Sequence, residues 1–148
     1  MNRIKPKTTE WFTYFPDDYR WSAAIGGMLG TSVVGASDMG EIDRTARKLS
    51  NKLGNDEAWF SAWKGLGDEL KARAESSEEK GHNIPAALFY LRASCYYQWG
   101  ERFRTEKDEQ ALSVFKQSIE CFHRHAKLSP GPHIDIVEVP YEGEHLPG

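Results

Sequence analysis

The sequence predicts a mainly α-helical fold, with five helices in a bundle-like array and a single β segment at the C-terminus. Apolar residues recur every three or four positions in five successive stretches, as they do in amphipathic helices. Asp or Asn residues stand where several of these stretches begin, and such residues cap helices. Two prolines around a glycine then break the helical pattern before an alternating β-branched run.

The first predicted helix begins after residues 16–18. Its apolar face is formed by Trp21, Ala24, Ile25, Met28 and Leu29. Glycines inside it cost about 1 kcal/mol each relative to alanine, so they predict either a close contact between helices or a backbone approach to a ligand. Ahead of this helix lie a basic arm at residues 5–7 and an aromatic cluster at residues 11–15, which we expect to be buried.

The second and third helices have clear start signals. Asp38 and Glu41 form an N-terminal capping pair, and the apolar spacing predicts a helix that continues to Gly54. The third helix begins at Asn55 or Asp56 and ends before residue 81. One stripe of it is apolar and consists of Trp59, Trp63, Leu66, Leu70 and Ala74. The charged residues of its C-terminal half predict a face exposed to water.

The fourth helix, residues 83–99, is apolar nearly all the way round, which predicts burial on several sides. Arg92 interrupts it and therefore needs a carboxylate or carbonyl partner, since a buried unpaired guanidinium is very costly. The fifth helix follows a cap at Thr105 and Asp108. Its predicted buried stripe is Ala111, Phe115, Ile119, Phe122 and Ala126.

The chain is expected to divide into a helical domain at residues 1–128, a Pro/Gly linker at 129–133 and a β segment at 134–148. The last segment alternates β-branched residues from Ile134, turns at residues 141–143, and has no predicted pairing partner. At 148 residues the chain has room for one ordinary domain and not for a second full one. We therefore expect residues 134–148 to open a second domain that is mostly absent from this chain.

Composition excludes several classes of protein. Lys and Arg total 19 against 22 Asp and Glu, with mixed signs, so neither nucleic acid nor an anionic membrane is an expected partner. Residues 21–35 form the longest low-charge stretch and are too short and glycine-rich to span a membrane. Cys95 and Cys121 are too few for a disulfide framework, and no secretory leader is recognised, so we expect a cytoplasmic protein with reduced thiols.

The motifs of common catalysts are missing. The glycine spacing around Ser32 and Ser37 does not match a nucleophile elbow, and neither serine follows a predicted strand. Cys121 and His125 share a helix face, but two ligands do not make a metal site, and no glycine-rich nucleotide fingerprint occurs. The residues themselves therefore predict no catalytic group, no metal and no cofactor.

Aromatic side chains are the remaining functional candidates. They are concentrated on the third and fourth helices, where they either line an apolar ligand pocket or fill the core. The candidate pocket residues are Trp59, Trp63, Tyr96, Tyr97 and Trp99. An alternative is a tetratricopeptide-like interaction module, since Ala86, Tyr90 and Ala93 fit half of that repeat, although the other half fails.

Two segments resemble a known family. The stretches GHNIPAALFYLRASCYYQWGERF and VEVPYEGEHLPG resemble the N-terminal region of α/β-hydrolases related to 2,6-dihydropseudooxynicotine hydrolase and to fungal hydrolases that shorten polyketide pigment precursors. The helix motif of this family is matched by Ala87, Tyr90, Arg92, Ala93, Ser94, Tyr96 and Tyr97. Its strand and turn are matched by Val137, Val139, Pro140, Tyr141, Glu142, Gly143, Leu146, Pro147 and Gly148. The resemblance covers residues 55–148.

The resemblance implies that the helices form a lid over a serine-dependent hydrolase core that continues after Gly148 and cleaves a C–C or ester bond in a carbonyl-containing small molecule. We expect Tyr96, Tyr97 and Trp99 on the cleft side of such a lid. The resemblance also implies homodimer contacts and no metal or organic cofactor. The family's nucleophile, acid and histidine lie in a core that would begin at Ile134. None of them is carried over to a residue of this chain, which should be inactive by itself.

Overall fold

The computed structural model describes residues 12–147 and confirms a mainly α-helical fold with five helices. The basic arm at residues 5–7 and Trp11 lie outside the described residues. The helices are α1 (Tyr19–Thr31), α2 (Met39–Arg47), α3 (Asp56–Glu79), α4 (Asn83–Glu101) and α5 (Glu109–Leu128), with a short 3₁₀ helix (Ser32–Val34) after α1. Two strands, β1 (Glu138–Tyr141) and β2 (Glu144–Pro147), follow. No helix among these residues is long and apolar enough to cross a membrane.

Side-chain caps fix the start of four helices. Asp18, Asp38 and Asn55 accept hydrogen bonds of 3.0 Å from the backbone N–H groups three residues ahead of them. Asp108 does the same at the start of α5, over 2.8 Å. Each cap satisfies a backbone donor that the helix itself leaves unpaired and contributes about 1 kcal/mol. The caps at Asp18, Asp38 and Asn55 agree with the starts that the sequence predicts, whereas α5 is capped by Asp108, the second residue of the predicted pair, and not by Thr105.

Helix α4 lies between α3 and α5 and packs along both. Its buried residues surround the helix, as the apolar sequence predicts, and are Ala86, Ala87, Tyr90, Ala93, Ser94, Cys95, Tyr96, Tyr97 and Gly100. The carboxylate or carbonyl partner that the sequence requires for Arg92 is the Glu41 carboxylate on α2, which lies 3.4 Å from the guanidinium. The pair balances the charge, while Nε of Arg92 is buried without a hydrogen-bond partner among the described residues.

A chain of aromatic rings joins α1, α3 and α4. Ring centroids are 5.0 Å apart between Trp21 and Trp59, 5.3 Å between Trp59 and Trp63, and 5.8 Å between Trp63 and Tyr96. Trp59 also donates its indole N–H to the backbone carbonyl of Trp99 over 2.8 Å. Tilted and stacked pairs at these distances add to the free energy gained from burial alone.

Helix α2 is shorter than the sequence predicts, and the expected continuation to Gly54 is wrong. It ends at Arg47, and the chain then passes through successive turns in which Leu49 N–H bonds to the carbonyl of Ala46 and Lys52 N–H to that of Leu49. Leu49 is buried without belonging to the helix. A turn every three residues reproduces helical apolar spacing for a few positions, which is why the pattern runs past the true end.

The buried face of α5 differs from the predicted stripe. Phe115 and Phe122 are 43% and 40% exposed, whereas Val114, Ser118 and Cys121 are buried. The helix turns its smaller residues toward α4, which lets the two helices pack along their length. The larger aromatic residues are left on the outer side.

The C-terminal segment is a hairpin and not a single strand without a partner. β1 and β2 pair antiparallel, with Val139 opposite Leu146 and Tyr141 opposite Glu144. Glu142 and Gly143 both have positive φ, 49° and 87°, as the tight turn of a two-residue hairpin requires. Residues 134–137 carry no regular structure, and β1 is exposed along its length. The division into domains at residues 128 and 134 stays a prediction.

Candidate functional site

Four of the five predicted pocket residues lie in the interior of the helical array. Trp59, Trp63, Tyr96 and Tyr97 are each 0% exposed. The structure therefore places them in the core, and their contact with a substrate stays a prediction.

The two buried tyrosine hydroxyls already have partners inside the protein. Tyr97 donates to a carboxylate oxygen of Asp68 over 2.8 Å. Tyr96 donates to Glu41 over 3.0 Å and accepts from the backbone N–H of Asp38 over 2.9 Å. Burial raises the pKa of both phenols well above its usual value, so they act as neutral hydrogen-bonding groups.

Trp99 is the predicted residue that reaches a surface groove. This groove, which we call the α4 groove, has a volume of about 350 Å³ and lies between α4, the end of α1 and one residue of α5. It is lined by Thr31, Ala36, Leu91, Ser94, Cys95, Gln98, Trp99, Arg102 and Phe122. The Arg102 guanidinium lies 4.8 Å from the centre of the Trp99 ring, a distance at which cation and π system attract.

One stripe of α4 forms the floor of the groove. Six lining residues, at positions 91, 94, 95, 98, 99 and 102, follow the alternating three- and four-residue spacing of one helix face. Cys95 is buried beside Thr31, whose hydroxyl oxygen is 3.6 Å from the sulfur, and burial raises the pKa of this thiol. A neutral thiol is a poor nucleophile, so the groove is suited to binding and not to covalent catalysis.

The elements that line or adjoin the α4 groove carry exposed apolar side chains, which we call the apolar face. It comprises exposed side chains of the 3₁₀ helix, α4 and α5: Val33, Val34, Leu88, Leu112, Phe115 and Phe122. Leu88 approaches the 3₁₀ helix at Gly35, where an added Cβ would be 3.9 Å from it. Leu112, Phe115 and Phe122 lie on one stripe of α5, and contiguous exposed apolar residues mark binding surfaces.

The sequence did not predict this face, because it assigned Phe115 and Phe122 to the core. The signal that could have identified it is the neighbouring stripe of small residues, Ala111, Val114, Ser118 and Cys121, on the same helix. A helix with a small-residue stripe beside an aromatic stripe has two candidate contact faces. Periodicity alone does not decide between them.

A second, charged groove of about 450 Å³ lies on the opposite side of α4, between α3 and α5. At its edge Arg124 is 2.5 Å from a carboxylate oxygen of Glu78, and the Tyr90 hydroxyl donates to the same oxygen over 3.0 Å. Burial would raise the pKa of Glu78, but the bonds from Arg124 and Tyr90 outweigh it and lower the value. This cluster ties the three helices together.

The two serines considered as nucleophiles, Ser32 and Ser37, donate their hydroxyls to backbone carbonyls. Ser32 donates to the carbonyl of Leu29, and Ser37 donates to that of Met28, each over 2.6 Å. Among the residues described, no group of three or more His, Cys, Asp or Glu side chains is placed to hold a metal ion.

The chain is similar in sequence to several proteins that are named hydrolases. No protein-family model matches the chain. Alpha/beta hydrolase gkaG of Penicillium citrinum is 30% identical over 128 residues, which is 86% of this chain and 29% of that protein. Hydrolase LUC6 of a Fusarium species is 33% identical over 124 residues, 82% of this chain and 29% of that protein.

The chain is similar to fungal α/β-hydrolases. A third such relative, 20-hydroxy-prefusarin hydrolase FUS2 of Gibberella moniliformis, is 29% identical over 82% of the chain. The predicted resemblance to α/β-hydrolases is thereby confirmed. The chain spans about 29% of the length of these relatives.

Proposed function

We propose that this helical array is the lid of a serine-dependent α/β-hydrolase that cleaves a C–C or ester bond in a carbonyl-containing small molecule. The observation that carries the proposal is the match to proteins named hydrolases over 82% to 86% of this chain, set against only 29% of their length. Most of each relative therefore lies outside the matched part. In the proposal, that remainder includes the catalytic core.

The apolar face gives the lid a surface to place on such a core. Phe115, Phe122, Leu88 and Leu112 are all 40% or more exposed and belong to the two adjacent helices α4 and α5. Burying a fully exposed side chain of this size contributes about 1.5–3 kcal/mol, and docking would bury the remaining 40–47% of each of the four. Phe122 belongs to this face and also lines the α4 groove, so in the proposal a docked core closes over the groove.

In the proposal the core and the lid have different roles, because the helices carry apolar surface but no recognised catalytic group. The core would supply the activated serine and the oxyanion hole, without a metal or an organic cofactor. The lid would supply apolar cover that excludes water and orients the substrate. The tetratricopeptide-like interaction module is not favoured, because the relatives carry hydrolase names.

In the proposal the chain continues into a catalytic core, so the test compares the 148-residue chain with this longer, full-length protein. A fluorophosphonate probe should label a serine of the full-length protein and leave the 148-residue chain unlabelled. With benzoylacetone and p-nitrophenyl butyrate as substrates, only the full-length protein should show hydrolysis. A full-length product with no reactive serine would contradict the hydrolase proposal.

A substitution on the apolar face tests the role of the helices as a lid. Phe122→Asp puts a charge on the apolar face and should lower kcat/KM of the full-length enzyme by more than about tenfold, since a desolvated charge costs well over 1.4 kcal/mol. Ser113→Asp puts the same charge on an exposed residue of α5 away from this face and should leave kcat/KM unchanged. Equal effects of the two variants would argue against docking through the apolar face.

Homodimer contacts and a cytoplasmic location belong to the same proposal. The dimer is suggested by the family resemblance, and light scattering on the full-length protein tests it directly. The location is supported by Cys95 and Cys121, which are both free and buried, as expected in a reducing compartment. Imaging of a fluorescent fusion in the source cells tests the location.

A further inference from the structure

The C-terminal hairpin has an uncovered strand edge. β1 pairs with β2 on one side, and within residues 12–147 no helix packs along its other side. All four residues of β1 are exposed, and so are Ile136 and Val137 just before it. An exposed edge rich in β-branched residues is a template on which a second copy of a chain can pair.

The turn determines which backbone groups of β1 point away from β2. In a hairpin closed by two residues, the pair that flanks the turn is hydrogen-bonded, and bonded and non-bonded pairs then alternate. Tyr141 and Glu144 flank the turn and form such a bonded pair. Val139 is therefore also bonded to β2, whereas Glu138 and Pro140 direct their backbone groups to the outer edge.

Pro140 interrupts this outer edge, because it is the third of the four residues of β1. A strand that pairs there needs a backbone donor and acceptor at residues 136, 138 and 140. Proline has no N–H, and its ring stands where the donor would face an incoming carbonyl. In a two-fold antiparallel pair of copies centred on Glu138, residue 140 of each copy lies opposite residue 136 of the other, so two hydrogen bonds are lost. Pro147 removes a donor from the outer edge of β2 in the same way.

Glu138 is a second obstacle to pairing between copies. In the same two-fold arrangement the Glu138 side chains of the two copies lie directly opposite each other, and like charges in that position destabilise a sheet. The His145 ring lies 3.7 Å from the Glu138 carboxylate, but both side chains are largely in water, 63% and 76% exposed. Such an exposed contact does little to cancel the repulsion.

We propose that Pro140 and Glu138 close the outer edge of β1 to backbone pairing, and so keep two copies of the 148-residue chain from joining their hairpins into one sheet. The proposal depends on the register of the hairpin and not on the hydrolase function. Contact between copies through the apolar face is a separate matter, because that face lies on the 3₁₀ helix, α4 and α5.

The experiment restores the missing donor with Pro140→Thr, which also introduces a residue that favours strands. Sedimentation equilibrium measures the association constant of the 148-residue chain. We expect it to rise by about 10- to 100-fold over that of the parent protein, because the dimer gains two hydrogen bonds. In ¹H–¹⁵N NMR, the backbone N–H of Glu138 should become protected from exchange as the concentration of this variant rises.

Pro132→Thr is the matched control. It makes the same substitution at an exposed position outside the strands and should leave the association constant unchanged. Since Pro132 and Pro140 are both exposed and lie outside the helices, the two variants should keep the helical circular dichroism of the parent protein.

Glu138→Thr tests the contribution of charge. It should also raise the association constant, and the gain should shrink as the ionic strength increases, because salt screens the repulsion that the variant removes. The gain from Pro140→Thr should persist at high salt. Two results would overturn the proposal. One is an equal association constant for Pro140→Thr and Pro132→Thr. The other is association of Pro140→Thr that leaves the Glu138 N–H unprotected, which would place the contact elsewhere.

Discussion

The ring of Tyr97 lies directly against the backbone of Gly67, so that a Cβ placed on Gly67 would be 2.6 Å from Cε1 of the ring. The ring has little freedom to move, because Tyr97 is fully buried and its hydroxyl is bonded to Asp68. The close approach of α3 and α4 at this point depends on the absence of a side chain at Gly67.

Gly67→Ala should therefore destabilise the protein. Overpacking costs about 1–3 kcal/mol, and the better helix propensity of alanine returns at most about 1 kcal/mol. We expect a net loss of about 1–2 kcal/mol in urea denaturation. Gly65→Ala is the control on the same helix: nothing lies within 4 Å of an added Cβ there, so it should stabilise by about 0.5–1 kcal/mol. A stabilising Gly67→Ala would show that the ring is free to move.

Glu41→Ala should be costly, because Glu41 pairs with Arg92 and accepts the Tyr96 hydroxyl. The side chains of Arg92 and Glu41 are only 22% and 12% exposed, so the variant leaves a poorly hydrated guanidinium without a carboxylate. We expect a loss of about 2–4 kcal/mol in the free energy of unfolding.

The matched control for Glu41 is Glu69→Ala. It removes an ion pair with Arg73 in which both side chains are largely in water, 46% and 56% exposed. Exposed pairs contribute about 0–1 kcal/mol, so the control should change stability very little. Similar losses in the two variants would contradict the burial argument.

Glu78 should make stability depend on pH in the acidic range. Burial raises its pKa, but the hydrogen bonds from Arg124 and Tyr90 outweigh burial, so the folded-state pKa lies below the unfolded value of about 4.3. The stabilisation is therefore complete above about pH 4.3 and is lost as the pH falls through the lowered folded value. In the Glu78→Gln variant this pH-dependent contribution to the free energy of unfolding should be absent. Urea denaturation of the parent protein and of Glu78→Gln at neutral and acidic pH tests this expectation. A difference in the free energy of unfolding between the two proteins that stays constant with pH would refute it.

Both thiols should be unreactive in the native protein. Cys121 is buried, and burial raises its thiol pKa to about 11, so little thiolate exists near neutral pH. Alkylation followed by mass spectrometry should show slow modification of Cys95 and Cys121 in the folded chain and rapid modification of both in guanidinium chloride. Rapid labelling of either thiol under native conditions would contradict their burial.

Local signals predicted the starts of the helices but not all of their ends. Asp18, Asp38 and Asn55 cap helices where the sequence predicts them, because a cap involves only residues a few positions apart. The end of α2 was predicted too late, since turns after Arg47 keep the apolar spacing of a helix. The pairing of β1 was missed, because it depends on a second strand that begins three residues after Tyr141 and has no strong alternation.

By itself, the sequence determined the helical class of this protein, its five helices, the burial of α4 and the similarity to α/β-hydrolases. Each of these follows from periodicity, capping or a linear motif. Only the tertiary structure decided that the small residues of α5 are buried while Phe115 and Phe122 face outward, and that Trp99 and Phe122 line the same groove. The physical reason is that packing selects among helix faces by the fit of side chains from distant parts of the chain, which a periodic pattern does not contain.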